Sequence, residues 1–233
     1  MLATLRADVE ATRQRDPAAR SAAEVVLCYP GVHALWGHRF SHRLWTRGHK
    51  LAGRLVSASV RVLTGVDIHP AAVIGERLFI DHATGVVIGE TTVIGDDVTI
   101  YQGVTLGGTS LEQTKRHPTI GDRVTIGAGA KVLGPITIGA GSRIGANAVV
   151  VRDVPPDAVV VGVPGQVIAR SRPRPPVGGA DLDDGTLPDL VGVSLGALQR
   201  RVDELERAVA GAVSVDEIRP SPSGVWRGED FSI

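Results

Sequence analysis

A six-residue rhythm through the middle of the chain constrains it more than any other feature. Isoleucine or a close substitute recurs at Ile68, Ile74 and Ile80, then at Ile88, Ile94, Ile100 and Leu106. It resumes at Ile120, Ile126, Val132, Ile138, Ile144 and Val150. A second small or aliphatic set, such as Val98, Val124 and Ala130, sits four positions after a leading residue. A helix repeats every 3.6 residues and a strand every 2, so neither accounts for a period of six. A hexapeptide repeat does: six residues make one short strand and one turn, and three such units close a triangular coil. The leading residues then stack on their counterparts one coil below, and stability comes from neighbouring coils. The glycine that often follows, as in Ile74-Gly75 and Ile120-Gly121, is expected to permit the corner by a positive φ. Aromatic residues make up only 3% of the chain while glycines number 29. That composition suits a narrow core of β-branched side chains. The competing reading, a sandwich of regular strands, does not predict so regular a period.

Two places break the period. Two extra residues stand between Ile80 and Ile88, in DHATGVV, and eight between Leu106 and Ile120, in GGTSLEQTKRHPT. A solenoid extrudes insertions as loops, often on its functional face. Both insertions carry a histidine, which makes His82 and His117 the first residues to consider for chemistry.

The flanks read differently. Residues 1–65 are expected to form a helical domain that caps the open first coil, whose edge would otherwise invite pairing. Leu2, Leu5, Val9 and Thr12 keep a helical spacing, and Asp16-Pro17 looks like an N-cap followed by proline at the first helical position. Further helices are expected over 21–29, 31–48 and 50–64, broken at Pro30-Gly31. The repeat occupies 66–170. A Pro/Arg-rich linker covers 171–186. An amphipathic helix is predicted over 187–211, where Val191, Leu195, Leu198, Val202, Leu205 and Val209 form a heptad seam. Residues 212–233 read as a flexible tail.

Lys+Arg and Asp+Glu both number 25, and zero net charge argues against a general nucleic-acid binder. The N-terminus has no apolar core for a signal peptide, and no apolar run is long enough to span a membrane. A single cysteine, Cys28, rules out an internal disulfide framework and is read as a buried small hydrophobe. A cytoplasmic protein is expected. His38 and His42 stand at i, i+4 with His33 nearby, but no carboxylate or cysteine completes a zinc set. No metal is expected.

Over about residues 8–170 the chain resembles the serine acetyltransferase family of the hexapeptide-repeat acyltransferases. VDIHPAAVIG (66–75), DHATGVVIGET (81–91), VTLGGT (104–109), RHPTIGD (116–122), IGAGAKVLG (126–134) and GVPGQVI (162–168) fit the family pattern in order, and RDPAA (15–19) fits its serine-site helix region. The resemblance implies an α+β fold: an N-terminal α-helical domain, a left-handed parallel β-helix, and a C-terminal helix and tail. It implies transfer of acetyl from acetyl-CoA, a co-substrate rather than a bound cofactor, to the L-serine hydroxyl in cysteine biosynthesis. The short N-terminal domain resembles short-form members and favours a homotrimer over a dimer of trimers.

Acetyl transfer needs a base for the hydroxyl proton and donors for the tetrahedral oxyanion. His82 is the expected base, and the resemblance makes Asp67 the partner that orients its imidazole. It also places Arg116, for a bidentate grip on the substrate carboxylate, and His117 in the serine pocket, with Asp16 and Asp81 on the ammonium. Glu90 is a weaker candidate, with turn polarity as the alternative. Acetyl-CoA is expected along a groove whose small residues expose backbone groups: Gly107, Gly108, Gly127, Ala128, Gly145 and Ala146. Lys131 and Arg143 could meet the phosphates. The terminal Ile233 resembles that of family members whose C-terminus enters the active site of O-acetylserine sulfhydrylase. Three rivals stay open: an acetyltransferase for a sugar, an amine or homoserine; a γ-class carbonic anhydrase using His69, His82 and His117; and an inactive scaffold that binds only through its tail.

Overall fold

The computed structural model describes residues 2–170 and 190–210. They fall into two units, Met1–Asp184 and Gly185–Ile233. In the first unit four helices precede the repeat: α1 (Leu2–Arg15), α2 (Ala22–Cys28), α3 (Pro30–Thr46) and α4 (Lys50–Thr64). The first coil holds β1 (Asp67–Ile68), β2 (Val73–Ile74) and β3 (Phe79–Ile80). The second holds β4 (Val87–Ile88), β5 (Val93–Ile94) and β6 (Thr99–Ile100). The third holds β7 (Thr105–Gly107), β8 (Thr119–Ile120) and β9 (Thr125–Ile126), and the fourth β10 (Lys131–Leu133), β11 (Thr137–Ile138) and β12 (Arg143–Ile144). The last turn carries β13 (Val149–Val150), β14 (Ala158–Val161) and β15 (Gln166–Arg170). The second unit contains α5 (Leu190–Ala210). The linker at 171–186 and the tail at 212–233, with Ile233, lie outside the described residues.

The strands form three parallel faces, β1-β4-β7-β10-β13, β2-β5-β8-β11 and β3-β6-β9-β12-β14, and β15 closes the third face antiparallel. Register gives the coil length: Val87 pairs with Thr105, eighteen positions on. Asp67 pairs with Val87 and Val93 with Thr119. Those longer steps place the two-residue insertion between the third and first faces and the eight-residue insertion between the first and second. The prism is a left-handed β-helix, and its ladders of Ile68, Ile88, Leu106, Val132 and Val150, or Ile80, Ile100, Ile126, Ile144 and Val160, are buried.

Four local expectations need correction. The glycine after each leading isoleucine does not adopt a positive φ. The left-handed corners fall elsewhere, at Arg77, Asp97, Arg123, Gly141 and Asp157 on one edge and Gly65, Gly85, Gly103, Gly129 and Asn147 on another, with φ of 53–77°. Gly121 is required for space instead, since a Cβ there would stand 2.7 Å from Ala140 N in the next coil. Asp16-Pro17 does not start a helix. Asp16 Oδ1 accepts from Ala18 N (2.7 Å) in a turn after α1, and Ser21 caps α2 by accepting from Glu24 N (3.1 Å). The inward face of α1 is Asp8, Ala11 and Thr12, because Asp8 is paired by Arg39 of α3 through two hydrogen bonds of 2.9 and 3.1 Å. Cys28 is exposed, since α2 buries Val25 instead.

The helices cap the first coil by packing Ala34, Leu35, Trp36 and Val60 onto its core, and they add polar contacts to its backbone. Ser57 Oγ donates to Ile68 O (3.0 Å), His42 Nδ1 meets Pro70 O (2.8 Å), and Arg15 Nη1 donates to Arg77 O (2.9 Å). Ser57 satisfies a ladder carbonyl that a further coil would have paired, as His69 N pairs Ile88 O one coil up.

Candidate active site

The two insertions sit on different edges of one prism, and each gathers its own cluster. On the edge between the third and first faces, β3 delivers Asp81 and His82. His82 and Ala83 both take φ of +55°, a left-handed pair of non-glycine residues that is uncommon and costs energy. The turn is closed by Thr84 N donating to His82 O (2.6 Å) and by His82 N donating to Asp81 Oδ1 (2.9 Å). The imidazole is thrust outward, with 74% of its side chain exposed and Nε2 4.0 Å from Asp81 Oδ2. Asp81 titrates above the usual carboxylate range, because burial disfavours its charge and Asp16 adds like-charge repulsion against the attraction of His82. Asp16 is held by Tyr29, whose hydroxyl donates to Oδ2 at 2.5 Å. Burial and that bond push the tyrosine proton to a higher pKa. Asp16, Asp81 and His82 therefore share one place, with two carboxylates that a cation would relieve.

Asp67, at the start of β1, lies one coil away on the same side. Its backbone N–H donates to Val86 O (2.9 Å), and its carboxylate lies 3.2 Å from Arg61. Within the single chain, the carboxylate that meets the His82 ring is Asp81.

The second cluster occupies the edge between the first and second faces. Thr91 ties the long loop down: its Oγ accepts from Arg116 N (3.1 Å) and His117 N (3.0 Å), and its carbonyl accepts from Lys115 Nζ (2.6 Å). Thr91 N donates to His117 Nδ1 (3.2 Å). Nδ1 is therefore an acceptor, and the ring proton of neutral His117 belongs on Nε2. Burial, with Arg116 adding to it, holds the His117 pKa below the ordinary imidazole value. The ring fits only because Gly89 lacks a side chain: a Cβ there would stand 2.0 Å from His117 Cδ2. The Arg116 guanidinium donates to Glu90, whose carboxyl that bond holds below its usual range. His69 completes this edge, with Nδ1 accepting from Ala71 N (3.0 Å) and its ring edge-on to Trp45.

The expected acetyl-CoA residues divide between the same two edges. Gly107 ends β7 and Gly108 opens the long loop beside His117. Gly127, Ala128, Gly145 and Ala146 form the third-to-first edge of later coils, where Gly127 N donates to Ile144 O and Ala128 O accepts from Asn147 N, both at 2.8 Å. Lys131 turns its Nζ to Gly103 O (2.6 Å) and Gly129 O (2.7 Å) on that edge. Arg143 lies in β12. His33 meets Val26 O, and His38 is buried 5.5 Å from His42. Among the described residues no three His, Cys, Asp or Glu are grouped to hold a metal ion, and no helix is long and apolar enough to cross a membrane.

Sequence reasoning passed over Tyr29, Gly89 and Thr91. The last two lie inside the motif that contains His82 and Glu90, so their place beside a candidate residue was the available signal. Tyr29 carried none, because its approach to Asp16 depends on how α2 folds back.

Comparison with known proteins follows the same lines. A family model described as "Serine acetyltransferase, N-terminal" matches residues 1–36, and one described as "Bacterial transferase hexapeptide (six repeats)" matches 117–152. The serine acetyltransferase of Mycobacterium tuberculosis (strain ATCC 25618 / H37Rv) is 64% identical over 233 residues, all of both chains. This chain belongs to the serine acetyltransferase family. The crystal structure of the Neisseria gonorrhoeae serine acetyltransferase is similar at 47% identity and a TM-score of 0.73, covering 75% of this chain and 67% of that one. The Brucella abortus strain S19 serine acetyltransferase solved in complex with coenzyme A matches at 43% identity and a TM-score of 0.72, covering 74% and 69%. As a member of this family the chain is an acyltransferase with a helical N-terminal region and a hexapeptide β-helix.

Proposed function

We propose that this chain transfers acetyl from acetyl-CoA to the hydroxyl of L-serine, giving O-acetylserine and free CoA, with His82 as general base. The observation that carries the reading is the grouping of Asp16, Asp81 and His82: a cation site for an amino-acid ammonium beside an outward imidazole. A neutral sugar would have no use for that pair of carboxylates. The Brucella relative solved with coenzyme A supports the donor. The serine Oγ loses its proton to His82 Nε2 as it bonds to the acetyl carbon. The tetrahedral intermediate then collapses, the C–S bond breaks, and the imidazolium returns the proton to the CoA sulfur. Asp67 is assigned to orient and charge-balance that imidazole, for which it has to exchange Arg61 for the ring that Asp81 meets in the free chain. The Nε2–H of His117 suits the oxyanion, and Arg116, steadied by Glu90, suits the serine carboxylate. Gly107, Gly108, Gly127, Ala128, Lys131, Arg143 and Ala146 line the acetyl-CoA path.

The two clusters lie on opposite edges of the first face, so one chain does not complete the site. A homotrimer does, with the His82 edge of one subunit against the His117 edge of the next. The terminal Ile233 is the docking element for O-acetylserine sulfhydrylase in the cytoplasm. Deleting Ile233 is expected to abolish capture of that enzyme in a pull-down while leaving acetyl transfer intact; undiminished capture overturns the tail reading. The activity is tested by CoA thiol release with L-serine, L-homoserine and galactosides as acceptors. Serine is expected to give the highest kcat/KM, and preference for a galactoside would reject the proposal.

A further inference from the structure

We infer that α5 is a self-association helix, packing parallel and in register against the same helix of another copy of this chain. Leu195, Leu198, Val202 and Leu205 are 53, 62, 50 and 53% exposed, and they follow one another at spacings of 3, 4 and 3. Val191 and Val209 extend the same spacing in the sequence. With Leu195 at a, the a positions are Leu195, Val202 and Val209, and the d positions are Val191, Leu198 and Leu205. A lone helix of 21 residues is marginal in water, and Gly192 and Gly196 weaken it further. A helix of this kind is stabilised by covering its stripe, and the flanking charges say with what.

In this register Arg201 falls at g and Glu206 at the following e. Across a parallel, in-register pair, g of one helix meets the next e of its partner, so Arg201 faces Glu206 in both directions. In an antiparallel pair g meets g and e meets e, so Arg201 no longer faces Glu206 and the attraction is lost. The charges thus select the parallel arrangement, the one adopted by copies whose symmetry axis runs along the helix. Within its own chain Arg201 also pairs with Glu204 (3.1 Å), which lies on the outer c position. The inference does not depend on acetyl transfer or on the trimer. Valine at a with leucine at d is common in two-stranded coils, so strand number is left to the rest of the molecule.

The test is disulfide trapping in the full chain. In a Cys28→Ser background, which removes the natural thiol, Leu198→Cys at d is compared with Arg200→Cys at f under mild oxidation. Non-reducing gels are expected to show at least about ten times more covalent dimer from position 198 than from position 200. Adding Glu206→Arg should lower the yield at 198, and Arg201→Glu together with Glu206→Arg should restore it. Equal or absent linking at 198 overturns the inference, and linking indifferent to both charge changes overturns the parallel register. Acetyl transfer and molar mass are measured on the same samples. Active protein without linking at 198 rejects α5 pairing alone, whereas linked but inactive protein rejects the proposed reaction alone.

Discussion

His82 and Gly89 show how single residues build the two halves of the site. His82 sits in a left-handed turn that aims its ring into solvent, an arrangement a purely structural histidine has no reason to keep. His82→Ala is expected to lower kcat by at least about a hundredfold. Thiol-release kinetics would check this, with the melting temperature unchanged. Gly89 acts through space rather than chemistry. Gly89→Ala puts a methyl group 2.0 Å from His117 Cδ2, so the imidazole or the loop has to shift. A displacement of about 1 Å in a positioned donor costs on the order of a hundredfold in rate. That loss should appear in kcat/KM for serine while the circular dichroism spectrum stays that of the parent. An unimpaired Gly89→Ala enzyme would mean that the His117 ring position does not matter to the reaction.

At the scale of elements, the helical cap packs apolar residues of α3 and α4 onto the prism's core and adds polar contacts, and one buried histidine in it makes stability depend on pH. His38 of α3 is buried among His42, Arg39 and His69, and burial first, then these basic neighbours, push its pKa down to about 3. In the unfolded chain it titrates near about 6.5. Between those values the unfolded state holds a proton that the folded state refuses. Folding stability is therefore expected to fall as pH drops below about 6.5, by up to about 1.4 kcal/mol per pH unit from this group, with no effect above. Urea unfolding at pH 7 and pH 5 measures it, and His38→Gln should flatten the difference. The capping expectation itself was legible, because an open coil needs a cover. That the cover would use Ser57, His42 and Arg15 on backbone carbonyls was not, since the pattern of apolar residues says nothing about which carbonyls lack a partner.

At the scale of the whole molecule, the first face separates the proposed base from the proposed carboxylate grip. If neighbouring subunits complete the site, His82→Ala and His117→Ala should complement each other. Mixed by refolding or co-expression, random trimers would carry both intact residues at about a quarter of their interfaces. Activity rising well above either variant alone is the expected result, read per milligram of mixed trimer. A mixture no more active than its parts would place each site within one chain.

The order of residues by itself determined the coil, its period, the position of both insertions and the aliphatic ladders. All of these are local or nearest-neighbour properties, and a repeat prints them directly in the sequence. It also named Asp16, Asp81, His82, Arg116 and His117 through likeness to a family. Only the folded chain decided which edge each insertion occupies, that Tyr29 folds back on Asp16, and that Thr91 anchors the His117 loop. It also moved the left-handed corners away from the conspicuous glycines. Those features arise where segments distant in sequence share hydrogen-bond partners, and contacts of that kind leave no periodic trace along the chain.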